Sequence, residues 1–260
     1  MDAYQIVQKA RLTSRISTRE IIGALCTEFI ECHGDRLMKD DRAIIGGVGL
    51  MDGNPITIIG LQKGRNVKSN IRRNFGSAGP SGYRKAQRLM EQAEKFNRPV
   101  LTLINTAGAF CAPESEENGI GEAIAQTLRM MSRLSVPTLA IILGEGGSGG
   151  AIALALTDEV WMLEHSIYSI LSPEGFASIL WKDAKLAPQA AEVMKMTAKD
   201  LLELNVIDKI INEVDDAGLP IEQEVLLLEL VAEIKQYFTD CSALSKEERM
   251  KKKYQRFRQF

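Results

Sequence analysis

The segment Gly144-Glu145-Gly146-Gly147-Ser148-Gly149-Gly150-Ala151 holds five glycines in its first seven positions. Glycine lets the backbone adopt positive φ and lets a ligand approach the peptide plane closely. The run joins an apolar stretch, Thr138–Leu143, to a small-residue stretch, Ala151–Leu156, so it reads as a turn from a buried strand into a helix. At a helix N-terminus several N–H groups lack intrahelical acceptors, and the dipole end is positive. Such a turn can stabilise an anion, or an oxyanion that develops during a reaction, without any charged side chain.

Several chemistries compete for this loop. A nucleotide-phosphate loop would need Gly-x-x-x-x-Gly-Lys, which is absent, and Gly147-Ser148-Gly149 is a poor dinucleotide fingerprint. A serine nucleophile satisfies Gly-x-Ser-x-Gly at Ser148, with Asp158 and His165 following in hydrolase order. Those two lie only 10 and 17 residues beyond Ser148, close for partners usually carried on later strands. An oxyanion hole of peptide amides, with Ser148 merely small, would stabilise a thioester or ureido enolate. A second backbone-rich loop, Asn105-Thr106-Ala107-Gly108-Ala109-Phe110, follows the preceding apolar strand and could add a convergent N–H. Close packing of a helix on a sheet would ask for the same glycines.

The elements that must position these loops are legible from periodicity. Asp52-Gly53-Asn54-Pro55 separates Ala43–Met51 from Ile56–Gln62 and predicts a β-hairpin. Ser17 followed by Glu20 is a capping box, predicting a helix that runs to about Cys32. Further helices are expected over Tyr83–Phe96, Glu116–Leu134, Pro173–Trp181, Ala187–Met194, Ala198–Glu203, Ile221–Phe238 and Lys246–Phe257. Short apolar strands are expected at Val100–Ile104, Thr138–Leu143, Val160–Leu163, Ile167–Leu171 and Val206–Ile211. Strands alternating with helices imply a mainly parallel sheet, and strands without polar alternation imply burial on both faces.

Composition narrows the function classes. With 260 residues, 45% hydrophobic and 25% charged, the chain is an ordinary globular protein able to bury a core without covalent staples. A net charge of −2 argues against a nucleic-acid partner. No apolar run reaches membrane-spanning length and no signal peptide is evident, so a cytoplasmic protein is expected. Four scattered cysteines and two histidines argue against a metal or disulfide framework. Charge is nevertheless uneven: Gln62–Arg88 carries eight bases and no acid, which could meet an anionic partner or a phosphate-bearing ligand.

The order of motifs resembles the carboxyltransferase α subunits of bacterial acetyl-CoA carboxylases, over about Ala10 to Glu213. The markers are His33-Gly34-Asp35-Arg36, Gly60-Leu61-Gln62-Lys63-Gly64-Arg65, Asn74-Phe75-Gly76, Gly82-Tyr83-Arg84-Lys85-Ala86 and Ala93-Glu94-Lys95-Phe96. The glycine loop, Ser172-Pro173-Glu174-Gly175 and Ala177-Ser178-Ile179-Leu180-Trp181-Lys182 complete them. The resemblance implies an α/β, crotonase-like (ClpP/crotonase) fold of stacked ββα units: a single carboxyltransferase domain over 1–260, with an N-terminal helical region (1–40), a core (41–213) and C-terminal helices (214–260). It implies an α₂β₂ assembly, with zinc and much of the acetyl-CoA site in a separate β subunit. It further implies carboxyl transfer from carboxybiotin to acetyl-CoA, giving malonyl-CoA for fatty acid synthesis. Biotin would arrive on a biotin carboxyl carrier protein, charged by biotin carboxylase. In the resemblance, Gly146 and Gly147 supply backbone oxyanion donors. Ser148, Gly149, Thr106, Ala107, Gly108 and Ala109 are expected to bind substrate, and Lys63 and Arg65 to meet CoA phosphates or the β subunit. The alternatives are a non-catalytic or specialised paralogue that docks a β subunit, or a serine hydrolase using Ser148.

The chain also departs from the family pattern. Asn105-Thr106-Ala107-Gly108-Ala109-Phe110 stands where the family usually reads Asp-Thr-Pro-Gly-Ala-Tyr, which is expected to loosen the turn and remove a charge. Cys111–Glu117 and Ser77–Ser81 replace two further family loops.

Overall fold

A computed structural model describes residues 1–259. The elements in chain order are α1 (Ala3–Ala10), α2 (Thr18–Leu25), β1 (Glu28–Glu31), β2 (Ile44–Met51), β3 (Asn54–Leu61), α3 (Val67–Arg72), α4 (Pro80–Lys95) and β4 (Val100–Thr106). There follow α5 (Pro113–Glu117), α6 (Ile120–Arg133), β5 (Thr138–Gly147), α7 (Ser148–Ala155), β6 (Glu159–Leu163), β7 (Ile167–Ser169) and α8 (Pro173–Trp181). The chain closes with α9 (Ala187–Val193), α10 (Ala198–Glu203), β8 (Lys209–Ile211), α11 (Gln223–Ser242) and α12 (Lys246–Phe257).

The sheet runs β1-β2-β3-β4-β5-β6-β8. β1, β2 and β3 pair antiparallel, and from β3 onward every pairing is parallel. The hairpin turns through Asp52 and Gly53, at φ 48° and 80°, and sets Met51 opposite Asn54. Two successive positive φ values match the right-handed twist of the flanking strands, which is why Asp-Gly is favoured there. β5 is the longest strand. On one edge it pairs with β4; on the other it pairs first with β6 and then, along its last residues, with β7.

Both faces of the sheet are covered, as the wholly apolar strands require. One face packs Ile44, Ile104 and Ile142 against Tyr83, Leu89 and Met90 of α4, Met131 of α6 and Leu154 of α7. The other packs Ile58, Leu103 and Ile141 against Ile21 of α2 and Leu230, Ile234 and Phe238 of α11. A third cluster seats α1 on the C-terminal end of the sheet, joining Val7 and Ala10 to Ile167, Ala191 and Met196.

The structure corrects several expected boundaries. The capping box at Ser17 and Glu20 forms, but α2 stops at Leu25, and residues 28–31 become an edge strand paired with β2. The region expected to be helical over 1–40 therefore contains a strand. Its exposure alternates along Glu28–Glu31, the period of a half-exposed strand. The helix expected over Glu116–Leu134 is split, because Asn118 ends α5 and Gly119, at φ 76°, restarts the chain as α6. The strand expected over Val206–Ile211 is reduced to Lys209–Ile211. The most consequential correction concerns β5, which continues through Gly147 and absorbs half of the glycine loop.

Candidate active site

The strand register decides which amides of the glycine loop are free. β7 sets Ile167, Tyr168 and Ser169 opposite Glu145, Gly146 and Gly147. The Tyr168 N–H donates to Met196 O at 3.0 Å, on the other edge of β7. In an extended strand the N–H and C=O of one residue face the same edge, and successive residues alternate. The pairing with β5 therefore runs through Ile167 and Ser169, and it takes the N–H groups of Gly146 and Ser148. On the opposite edge Thr106 lies across from Gly146, so the N–H of Gly147 turns toward β4. The donors expected at Gly146 and Gly147 thus belong to the sheet ladder. No side chain caps α7, so the amides left over are those of Gly149 and Gly150 in its first turn.

Of these two residues, Gly150 faces the second loop. A Cβ at Gly150 would lie 2.5 Å from Ala109 N and 2.7 Å from Gly108 C, so the helix can approach only because residue 150 is glycine. Tyr83, fully buried, donates its hydroxyl to Gly150 O at 3.1 Å and fixes the turn from below. A Cβ at Gly149 would meet only the side chain of Ile124, at 3.6 Å or more, and Gly149 lines an open cleft of about 400 Å³. The cleft is apolar, with Ile152, Tyr168, Ile170, Leu201 and Val206 around it. The second loop is held by Thr106, whose hydroxyl accepts the Gly108 N–H at 3.1 Å and donates to Gly108 O at 2.8 Å. Asn105 Oδ1 accepts the Glu145 N–H at 3.2 Å, linking the two loops. Thr106, Ala107, Gly108, Ala109, Ser148 and Gly149 are thereby brought together.

Lys63 and Arg65 have a different setting from the expected phosphate contacts. Lys63 is largely buried, and its Nζ lies 2.5 Å from Glu145 Oε2. Arg65 pairs with Glu20 and donates to Thr13 O at 2.9 Å. Arg11, which sequence reasoning passed over, donates from Nε to Glu145 Oε1 at 3.0 Å and from both terminal nitrogens to Glu174 at 2.8 and 3.0 Å. The forked bond from Arg11 is the main reason that the Glu174 carboxyl sits below its ordinary range. Nothing in the local sequence marks Arg11, because its partners lie 134 and 163 residues away.

The serine-hydrolase arrangement does not form. Asp158 accepts from Thr138 N at 2.8 Å and Thr138 Oγ1 at 2.9 Å, and faces Lys253. His165 Nδ1 lies 3.4 Å from Glu213, which also binds Arg15 at 2.9 Å. Burial raises the Glu213 carboxyl, but His165 and Arg15 outweigh it and bring the group down to about 2. Ser148 makes no hydrogen bond to a histidine among the described residues, and its φ of 49° lies in the left-handed region. His33 pairs with Asp40 at 3.2 Å, a structural contact at the surface. Among the described residues no cluster of three His, Cys, Asp or Glu is placed to hold a metal, and no helix is long and apolar enough to cross a membrane.

Comparison with known proteins agrees with this architecture. Residues 1–260 match the family described as acetyl co-enzyme A carboxylase carboxyltransferase-like. The chain is 52% identical over 258 residues to the acetyl-coenzyme A carboxylase carboxyl transferase subunit alpha of Streptococcus gordonii, covering 98% of each. It is 52% identical over 260 residues to that of Streptococcus pneumoniae, covering 100% of each. Among solved structures, transcarboxylase 12S superposes with a TM-score of 0.71 at 14% identity, over 89% of this chain and 42% of that one. The geranyl-CoA carboxylase β subunit of P. aeruginosa gives 0.67 at 16% identity, over 94% and 46%. These superpositions establish the crotonase-type carboxyltransferase fold. Full-length identity of this size, with the intact glycine loop at the end of the central strand, places the chain in the acetyl-CoA carboxylase carboxyltransferase family, as an α subunit.

Proposed function

We propose that this α subunit, together with a separate β subunit, transfers a carboxyl group from carboxybiotin on a carrier protein to acetyl-CoA, giving malonyl-CoA. The observation that carries the reading is the first turn of α7, which has no side-chain cap and carries the amides of Gly149 and Gly150, with Gly149 lining an apolar cleft at the end of β5. A bicyclic ureido ring fits such a place, because its rim is apolar and its carbonyl needs donors. Carboxybiotin supplies the carboxyl group, and its release leaves negative charge on the ureido oxygen. The Gly149 and Gly150 N–H groups would hold that oxygen, each donor contributing about 3–4 kcal/mol to the transition state. The helix α7 dipole acts in the same direction. Ile152, Ile170 and Val206 would exclude water from the ring. No side-chain base is drawn from this chain. The β subunit would hold the thioester and the zinc, and carrier protein and biotin carboxylase would complete the enzyme in the cytoplasm.

The test is to mix the purified chain with a cognate β subunit and follow malonyl-CoA decarboxylation with biotin methyl ester as acceptor. Turnover that depends on both chains is expected. A complex that assembles but does not turn over would refute the reading and favour a docking scaffold.

A further inference from the structure

Between Gly144 and Gly150 only Glu145 and Ser148 carry functional side chains. Ser148 is exposed, and its hydroxyl makes no hydrogen bond among the described residues. Glu145 is the opposite: its side chain is 12% exposed, and each carboxylate oxygen meets one cation, Lys63 at 2.5 Å and Arg11 at 3.0 Å. Its N–H is held by Asn105 Oδ1. The stretch from Glu145 to the two free amides passes through Gly146 and Gly147, which have no side chains to hold their path. The direction in which the Gly149 and Gly150 amides point depends on how α7 leaves the end of β5, and a small rotation of the strand end would misdirect them. The same carboxylate also reaches beyond the sheet, because Arg11 forks onto Glu174 in the first turn of α8.

We infer that Glu145 is a positioning residue for carboxyl transfer, pinning the end of β5 through Lys63 and Arg11 so that the Gly149 and Gly150 amides converge. The inference rests on the function proposed above. Lys63 belongs to the same device: its stem passes under Gly76, whose Cβ would come within 2.9 Å of Lys63 Cγ, so the loop at 74–76 and the glycine strand share one anchor.

The test uses Glu145→Gln, Lys63→Met and Lys63→Arg in the assembled α–β complex. Glu145→Gln and Lys63→Met are expected to lower kcat about 10- to 100-fold, the scale of a small misplacement of reacting groups. The KM for malonyl-CoA should stay within about twofold, and Lys63→Arg should restore most of the rate, since it keeps the cation. Hydrogen exchange of peptides spanning 144–151 should quicken in the first two variants while β-subunit binding persists. Wild-type kcat in both variants would overturn the inference, as would a fall in kcat matched by loss of assembled complex. If the wild-type complex itself proves inactive, the function proposed above fails, and the inference is then judged on exchange alone: unchanged protection at 144–151 in Glu145→Gln would refute it.

Discussion

Replacing Gly150 by alanine tests the placement of the free amides with a single methyl group. Its Cβ would lie 2.5 Å from Ala109 N, 2.7 Å from Gly108 C and 3.0 Å from Tyr83 Oη. Two of these obstacles are backbone, so no rotamer change relieves them, and the 108–109 loop or the first turn of α7 must shift. Overpacking of this kind costs about 1–3 kcal/mol. A displacement near 1 Å at the donors is expected to lower kcat about 100-fold. Gly149→Ala makes the matched comparison one residue earlier: its Cβ would meet only Ile124, at 3.6 and 3.7 Å, which is ordinary contact. That variant should melt at or above the wild-type temperature, since alanine is favoured over glycine in a helix by up to about 1 kcal/mol. The assay is thermal melting of the isolated chain beside malonyl-CoA decarboxylation in the α–β complex. A Gly150→Ala protein with wild-type melting and wild-type kcat would refute the reasoning, because it would show that the loop and helix are not in contact as described.

Ser148 holds φ 49°, so Ser148→Gly should stabilise the chain by about 1 kcal/mol in a melting experiment while leaving carboxyl transfer within a few-fold; a loss beyond 100-fold would restore a nucleophilic serine. Glu213 titrates at about 2 in the folded chain against an ordinary 4.5, a gap worth about 3 kcal/mol. Because the folded value is the lower one, that stability is complete above about pH 5 and disappears as pH falls through 4.5 toward 2. Glu213→Gln should therefore lower the denaturation midpoint at pH 7 and flatten its fall on acidification; an unchanged acid profile would contradict the ion-pair assignment. Lys253, 4% exposed, donates toward Leu134 O at 3.2 Å and faces Asp158 at 3.3 Å. Lys253→Met should release α12, seen as faster proteolysis within residues 246–259 and a loss of about 3 kcal/mol or more, as expected when one partner of a buried pair is removed.

Much of this architecture was legible because local physics dictated it. The Asp52-Gly53 turn and the Ser17 capping box both appear where their side chains predict. The apolar runs became central strands, because only burial on both faces accommodates them. What could not be read were elements defined by distant partners. β1 looked like the tail of a helix, and only its pairing with β2 makes it a strand. Arg11 gave no local signal, and its role is set by Glu145 and Glu174. Lys63 and Arg65 read as surface cations from a basic segment, yet both are engaged with acids that the sequence places far away. Glycine content marked the loop but could not set the strand register within it.

That register also bears on the loops that depart from the family pattern. Proline at position 107 would stiffen the turn, but here the Thr106 hydroxyl bonds both N–H and C=O of Gly108, which closes the same turn by hydrogen bonds. Aspartate at position 105 would add a third carboxylate to a cluster in which Glu145 and Glu174 are already matched by Lys63 and Arg11. Asn105 keeps the acceptor that the Glu145 N–H needs and leaves the cluster with equal numbers of acids and bases. Within the cluster the side chains of Lys63 and Glu145 are largely buried, where an unmatched charge is costly. The substitutions at 105 and 107 therefore keep the end of β5 tied to the second loop, which is the fixed strand end that the proposed site would need.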